Sequence, residues 1–305
     1  MKLVFAGTPE VAVPSLTALA GTNHEIVAVI TRADAPLGRK RTLTPSPVAQ
    51  AAIARGLPVL KTNRLDAEAT ETIHALQPDL GVIVAYGGIV RDPLLSVPRL
   101  GWINLHFSLL PRWRGASPVQ RAVIAGDELT GAAVFQLVPE LDAGDVFGSF
   151  SQPLGAHSTS GILLEQLSHT GAELLVRVVS ELAAGTARAV PQTGGVTLAP
   201  KLLRDDARID FNQPAASVYS RIRGVTPEPG AFTTVNGAVL KLLEVAPTAD
   251  EANLPAGMIQ QREKTVLVGT QTEPLVLLRV QPAGKTAMSA NDWWRGVGAE
   301  TVTAS

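Results

Sequence analysis

Asn104 and His106 stand two residues apart in the run Trp102–His106, which reads as a short buried strand. Residues i and i+2 of a strand point to one face, so an amide and an imidazole converge there. In open α/β sheets, ligands bind beyond the carboxyl ends of the strands. A donor amide and a titratable ring at that edge suit polarisation of a carbonyl oxygen. Taken alone, Asn-x-His is explained better as a strand end with two satisfied polar groups. Asp142, in ELDAGD at 140–145, is a further polar group, and by itself an ordinary turn aspartate.

The elements that must position these residues are legible as alternation. Apolar runs at Lys2–Ala6, Glu25–Ile30, Leu80–Ala85, Trp102–His106 and Ala132–Val138 alternate with segments of helical length at Val11–Ala20, Pro47–Arg55 and Asp66–Leu76. This predicts an α/β fold with a doubly wound, mostly parallel sheet buried on both faces. A long helix is expected over 161–184, followed by a Gly-, Pro- and Thr-containing stretch at 185–200. Beyond about residue 207 short Val-, Leu- and Thr-rich runs recur (Ala231–Val235, Val239–Val245, Thr265–Gly269, Leu275–Gln281), and Asn236-Gly237 marks a hairpin turn. That texture predicts a small antiparallel barrel. The expected division is a catalytic domain at 1–187, a linker at 188–206 and a barrel domain at 207–305.

Composition removes several classes. Formal net charge is −1 and 46% of residues are hydrophobic, so a packed core is expected and global attraction to polyanions is not. Residues 207–305 carry nine Lys or Arg against nine Asp or Glu, so a basic surface there must be local. The chain has no cysteine, which excludes disulfides, thiolate metal sites and cysteine nucleophiles and fits a cytosolic protein. Pro9, Glu10 and Pro14 interrupt the apolar stretch a signal peptide would need, and no membrane association is expected.

Competing motifs fail on spacing. FAGTPE at 5–10 follows the first strand but lacks G-x-G-x-x-G, which disfavours a nicotinamide oxidoreductase. Gly284-Lys285-Thr286 lacks the upstream glycine of a phosphate loop, because that position is Arg279. His24, His74, His157 and His169 have no metal-ligand spacing among them. Between Arg32 and Pro47, Arg32, Arg39, Lys40 and Arg41 face a single acid, Asp34. So long a connection suits a functional loop, and its charge suits phosphate contacts, although a solvated surface loop is the plainer reading.

The combination is more specific than its parts. NLHFSLLPRWRGASP at 104–118 with ELDAGD at 140–145 resembles the folate-dependent formyltransferase family, as do FAGTPE at 5–10, SPV at 46–48, VAYG at 84–87 and QPAGKTAMSA at 281–290. The resemblance implies 10-formyltetrahydrofolate as cosubstrate, with no metal. It implies Asn104, His106 and Asp142 as catalytic residues and Ser108, Leu109, Leu110 and Pro111 as a folate-binding loop, with Tyr86 and Gly87 bordering the folate. In such chemistry an amine attacks the formyl carbon and charge gathers on oxygen. Asn104 is expected to donate to that oxygen, with Asp142 favouring a cationic His106. The resemblance, which extends over nearly the whole chain, implies initiator methionyl-tRNA as acceptor, a barrel of the oligonucleotide-binding (OB) type, tRNA contact by Arg39, Lys40 and Arg41, and no obligate protein partner. A sugar-nucleotide or glycinamide ribonucleotide formyltransferase, or a nucleic-acid-binding protein without catalysis, remain the alternatives. One departure is Val11, where the family commonly has an aromatic residue.

Overall fold

The computed structural model describes residues 1–38, 40–248 and 254–305. They form two compact units: residues 1–118, 129–152 and 164–199 make the first, and 119–128, 153–163 and 200–305 the second.

The first unit is built on a seven-stranded sheet. Its strands are β1 (Lys2–Gly7), β2 (Glu25–Thr31), β5 (Val59–Lys61), β6 (Leu80–Val84), β7 (Trp102–His106), β8 (Leu129–Gln136) and β9 (Val146–Pro153), in the order β5-β2-β1-β6-β7-β8-β9. Two further short strands, β3 (Ala35–Leu37) and β4 (Thr42–Thr44), pair only with each other, as a hairpin inside the basic loop. From β5 to β7 the sheet is parallel, and β8 joins β7 antiparallel. Sequence order reverses at β1, the switch point at which such sheets bind ligands beyond their carboxyl ends. The central strands are apolar throughout because both their faces are covered: all five residues of β6 are buried.

Helices α1 (Val13–Ala20), α2 (Pro47–Ala54) and α3 (Ala67–Ala75) fall between these strands. Ser46 and Asp66 cap α2 and α3, accepting hydrogen bonds from the amides of Ala49 (3.0 Å) and Ala69 (3.1 Å). α4 (Pro118–Ala125) and α5 (Ser160–Ala184) follow β7 and β9. Within the first unit, α5 crosses β7 closely, with Gly171 against Leu105.

The stretch expected as a linker, 188–206, is divided between the two units. Val190 and Val146 exchange both backbone hydrogen bonds (2.8 and 2.9 Å), and Leu198 bridges Arg114. Val190 and residues 197–199 thus carry paired backbone in the first unit, a pairing that Gly and Pro content does not reveal.

The second unit contains α6 (Ala215–Gly224), α7 (Ala290–Arg295) and strands β10 (Phe232–Val235), β11 (Ala238–Pro247), β12 (Met258–Arg262), β13 (Thr265–Val268), β14 (Leu275–Pro282), β15 (Met288–Ser289) and β16 (Thr301–Thr303). The antiparallel order is β10-β11-β14-β13-β12-β16, with β15 added on β14. The two ends of this order meet: Thr234 and Ser305 exchange two backbone hydrogen bonds of 2.9 Å beside a Val235–Ala304 bridge. Closure removes the edge strands that an open sheet would expose. At the Asn236-Gly237 turn both residues take positive φ, 50° and 74°, as a two-residue hairpin requires. Both helices were outside the expected β texture. α6 buries Ala215, Val218 and Ile222, a helical spacing, and α7 is capped by Ser289. Among the described residues no helix is long and apolar enough to cross a membrane.

β7 is placed by Trp102, which is fully buried and donates its indole N–H to the Leu94 carbonyl (2.9 Å). Its ring lies on Gly81 of β6, where a Cβ would sit 2.1 Å from Trp102 Cδ2. Gly81→Ala should therefore overpack the core by roughly 1–3 kcal/mol or more and lower the thermal midpoint by several degrees. Gly195→Ala, with no heavy atom near the added methyl, should leave the midpoint nearly unchanged. Equal midpoints for both variants in a thermal melt would refute this packing role.

Candidate active site

β7 delivers Asn104 and His106 to the carboxyl edge of the sheet, paired with Ile83 of β6 on one side and with Phe135 and Ala133 of β8 on the other. Beyond His106 the chain turns back on itself. Ser108 is buried and donates its hydroxyl to the Arg112 carbonyl (2.6 Å). Trp113 then adopts φ +64°, and its carbonyl lies 2.9 Å from His106 Nε2. A carbonyl only accepts, so Nε2 carries the hydrogen and, in the neutral ring, Nδ1 keeps its lone pair. Nδ1 faces Asp142 Oδ2 at 3.8 Å. Asp142 has φ +46°, and the same oxygen accepts the Gly115 amide (2.7 Å). Two loops distant in sequence are therefore pinned together at the imidazole. Their non-glycine residues with positive φ are the kind of strain that persists only where surroundings over-determine it.

Burial pushes the His106 imidazole below its ordinary pKa, while the Asp142 carboxylate and the Trp113 carbonyl pull it partly back. Desolvation wins, because only 6% of the residue is exposed and the charged form loses its water. The net direction is downward, opposite to the pull of the Asp142 carboxylate alone. Among the described residues the Asn104 amide has no side-chain hydrogen-bond partner, which leaves its N–H donors for a bound molecule.

Asn104 and Asp142 share one wall of a cavity of about 420 Å³. Ile83, Val90, Leu95, Leu137 and Val138 supply apolar surface, and Arg91, Asp92 and Glu140 supply polar groups. Ile89 and Leu141, 70% and 60% exposed, belong to the same lining. This volume is within the usual range for small-molecule sites. Apolar walls with one free amide fit a flat ring system that carries a carbonyl-type oxygen.

Of the lining, residues 89–92 and Pro139 escaped the sequence reading, and 137–138 and 140–141 were read only as part of a strand and of the ELDAGD motif. The available signal was position, since each follows a strand at the carboxyl edge. Conversely, Tyr86, Gly87, Ser108, Leu109, Leu110 and Pro111 do not line this cavity. Tyr86 is buried in the core, donates its hydroxyl to the Thr62 carbonyl (3.2 Å) and lies under the Arg32 guanidinium. Gly87, at φ +76°, gives its carbonyl to Arg32 Nη2. Pro111 is buried and Leu109 packs at Gly131. Of the basic loop, Lys40 and Arg41 are exposed in the β3–β4 turn, and Arg39 lies outside the described residues. Arg32 is tied to Gly87 and to the Asn63 carbonyl (2.9 Å).

Comparison with known proteins identifies the family. The family model for formyl transferase matches residues 1–179, and that for the formyl transferase C-terminal domain matches 201–298. Methionyl-tRNA formyltransferase of Leifsonia xyli subsp. xyli is 60% identical over 302 residues, covering 99% of each chain. Its counterpart in Clavibacter michiganensis subsp. michiganensis is 57% identical over 304 residues, covering 100% of each. A solved N-formyltransferase from Helicobacter canadensis, in complex with folinic acid and dTDP-3-aminofucose, shares the fold at TM-score 0.68 and 16% identity, over 92% of this chain and 99% of that one. With both family domains matched and relatives this similar over its whole length, the chain belongs to the formyl transferase family.

Proposed function

We propose that this protein transfers the formyl group of 10-formyltetrahydrofolate to the α-amine of initiator methionyl-tRNA, in the cytoplasm, in support of translation initiation. The observation that carries the chemistry is the Asn104 amide, without a side-chain partner among the described residues, on a cavity at the sheet's carboxyl edge that it shares with Asp142, whose carboxylate lies 3.8 Å from the buried His106 ring. The choice of acceptor rests on the full-length similarity to methionyl-tRNA formyltransferases. The sugar-nucleotide reading is weaker, since the Helicobacter N-formyltransferase shares only 16% identity.

The folate supplies an activated formyl carbon when bound in the cavity. Asn104 donates to the formyl oxygen as negative charge gathers there. His106 Nδ1, the free base of the neutral ring, takes a proton from the attacking amine. Asp142 stabilises the imidazolium so formed and, through Gly115, holds the loop that presents Trp113. In this reading Ser108–Pro111 and Tyr86-Gly87 border the folate indirectly. Ser108 closes the turn that aims the Trp113 carbonyl, and Tyr86-Gly87 leads into the wall that starts at Gly88. Lys40 and Arg41, with Arg39, meet tRNA phosphates, and the closed barrel is of the OB type.

Three outcomes are expected. Asn104→Ala and His106→Ala should each lower kcat by about 10²–10³-fold, with the folate KM nearly unchanged, in assays with labelled formyl-folate and methionyl-tRNA. A near-normal kcat in either folded variant would remove that residue from the mechanism.

The pH–rate profile should fall on the acid side, at a pH below the ordinary histidine value, because protonation of a depressed-pKa base removes activity. Asp142→Asn removes a group that raises this pKa, so the limb should move lower still while the plateau drops. A limb that stays in place would break the proposed coupling.

Arg39→Ala should weaken tRNA use and reduce the salt slope of tRNA binding by roughly 0.7–0.9, with folate binding intact. Affinity for initiator and elongator methionyl-tRNA, measured at several salt concentrations, tests this. An unchanged slope and affinity would make the loop plain solvated surface.

A further inference from the structure

Residues 190–199 sit against the back of the catalytic loops, and two of their side chains hold both loops at once. The Gln192 amide NH₂ donates to the carbonyls of Asp142 and Gly144, each at 2.8 Å. Its oxygen accepts from Arg114 Nε (3.1 Å) and Nη2 (2.7 Å). Thr197 Oγ1 accepts the Trp113 amide (2.8 Å), and the Thr197 carbonyl accepts the Arg114 amide (2.9 Å). Ala199 completes the pairing, donating to the Arg114 carbonyl at 2.7 Å and accepting the Ser117 amide at 3.1 Å.

The chemistry of these contacts is specific. A glutamine carries two donors and an acceptor on one planar group, and here all three functions are used. Glutamate could still accept from Arg114 but could not donate to the two carbonyls. Two of the residues held are strained: Asp142 at φ +46° and Trp113 at φ +64°. Asp142 faces His106 Nδ1, and the Trp113 carbonyl fixes Nε2–H. The clamp therefore grips the backbone of both groups that set the state of the imidazole, without touching the cavity itself.

We propose that Gln192 and Thr197 are positioning residues for His106: together they hold the Trp113 carbonyl and the Asp142 loop where they fix the Nε2–H tautomer and keep Nδ1 aimed at Asp142. This rests on the reading of His106 as the base in formyl transfer. It makes the segment after α5 part of the active site and not a connector.

The test combines kinetics with a measurement that needs no substrate. Gln192→Ala, Gln192→Glu, Thr197→Val and the conservative Thr197→Ser are compared with the native chain. With methionyl-tRNA, kcat should fall about 10- to 100-fold in the first three, as expected of displaced catalytic groups. The KM for folate should stay within about threefold, and Thr197→Ser should recover most of the rate. In ¹⁵N-histidine-labelled protein, the His106 ring nitrogens should report the Nε2–H tautomer in the native chain and in Thr197→Ser. Thr197→Val and Gln192→Ala should show a mixture of tautomers. Melting temperatures establish that each variant folds.

Unchanged ring shifts overturn the proposal, whether kcat is retained or falls together with the melting temperature; in the second case the residues serve stability alone. If the native chain fails to formylate methionyl-tRNA, the proposed function falls. The ring shifts of the variants still decide whether the clamp sets the tautomer.

Discussion

The geometry of the candidate site depends on a hydrogen bond from the ring of His106 to the backbone carbonyl of Trp113. A carbonyl cannot donate, so it selects one tautomer, and a buried site cannot easily hold an imidazolium. Together these disfavour the imidazolium and leave Nδ1 as the basic nitrogen of the neutral form. Everything nearby serves to bring that carbonyl within reach: the Ser108–Arg112 hydrogen bond that closes the turn, the unusual φ of Trp113, and the Gly115 amide that ties the same loop to Asp142. The rest of the first unit, from the Trp102–Gly81 contact outward, fixes the strand from which the ring projects.

Much of this was legible in the sequence, and what was not has physical reasons. The apolar runs of β1, β2, β6 and β7 stand out because both faces of those strands are buried, and Asn236-Gly237 announces its turn by backbone preference. β5 is three residues long, and so are β3 and β4, whose exposed residues leave no pattern to detect. β9 is a half-exposed strand, GSFSQ at its centre, with little apolar content. In α6 the helical spacing is present but lies among β-rich neighbours.

At the site, the resemblance of NLHFSLLPRWRGASP and ELDAGD to the family, and not residue types alone, singled out Asn104, His106 and Asp142, and it carried no information on how burial acts on the ring. The charge on His106 depends on how much water its neighbours exclude, a sum over residues from several strands that no local motif records. The cavity walls at 88–92 and 137–141 read as ordinary core because their apolar residues adjoin buried strands. Gln192 was hidden in a stretch whose composition suggests a connector, since its significance lies only in the four groups its amide meets.

The depressed basicity of His106 also bears on how the protein returns to its starting state. A base that binds its proton weakly is, once loaded, a stronger acid than free histidine. In formyl transfer the amine must lose a proton and the departing folate nitrogen must gain one. In the proposed mechanism, the imidazole that accepts the first is therefore poised to surrender it to the second. Burial that weakens the acceptance strengthens the return, so the proton account balances within a single turnover. Such a site leaves no surplus proton for solvent to remove.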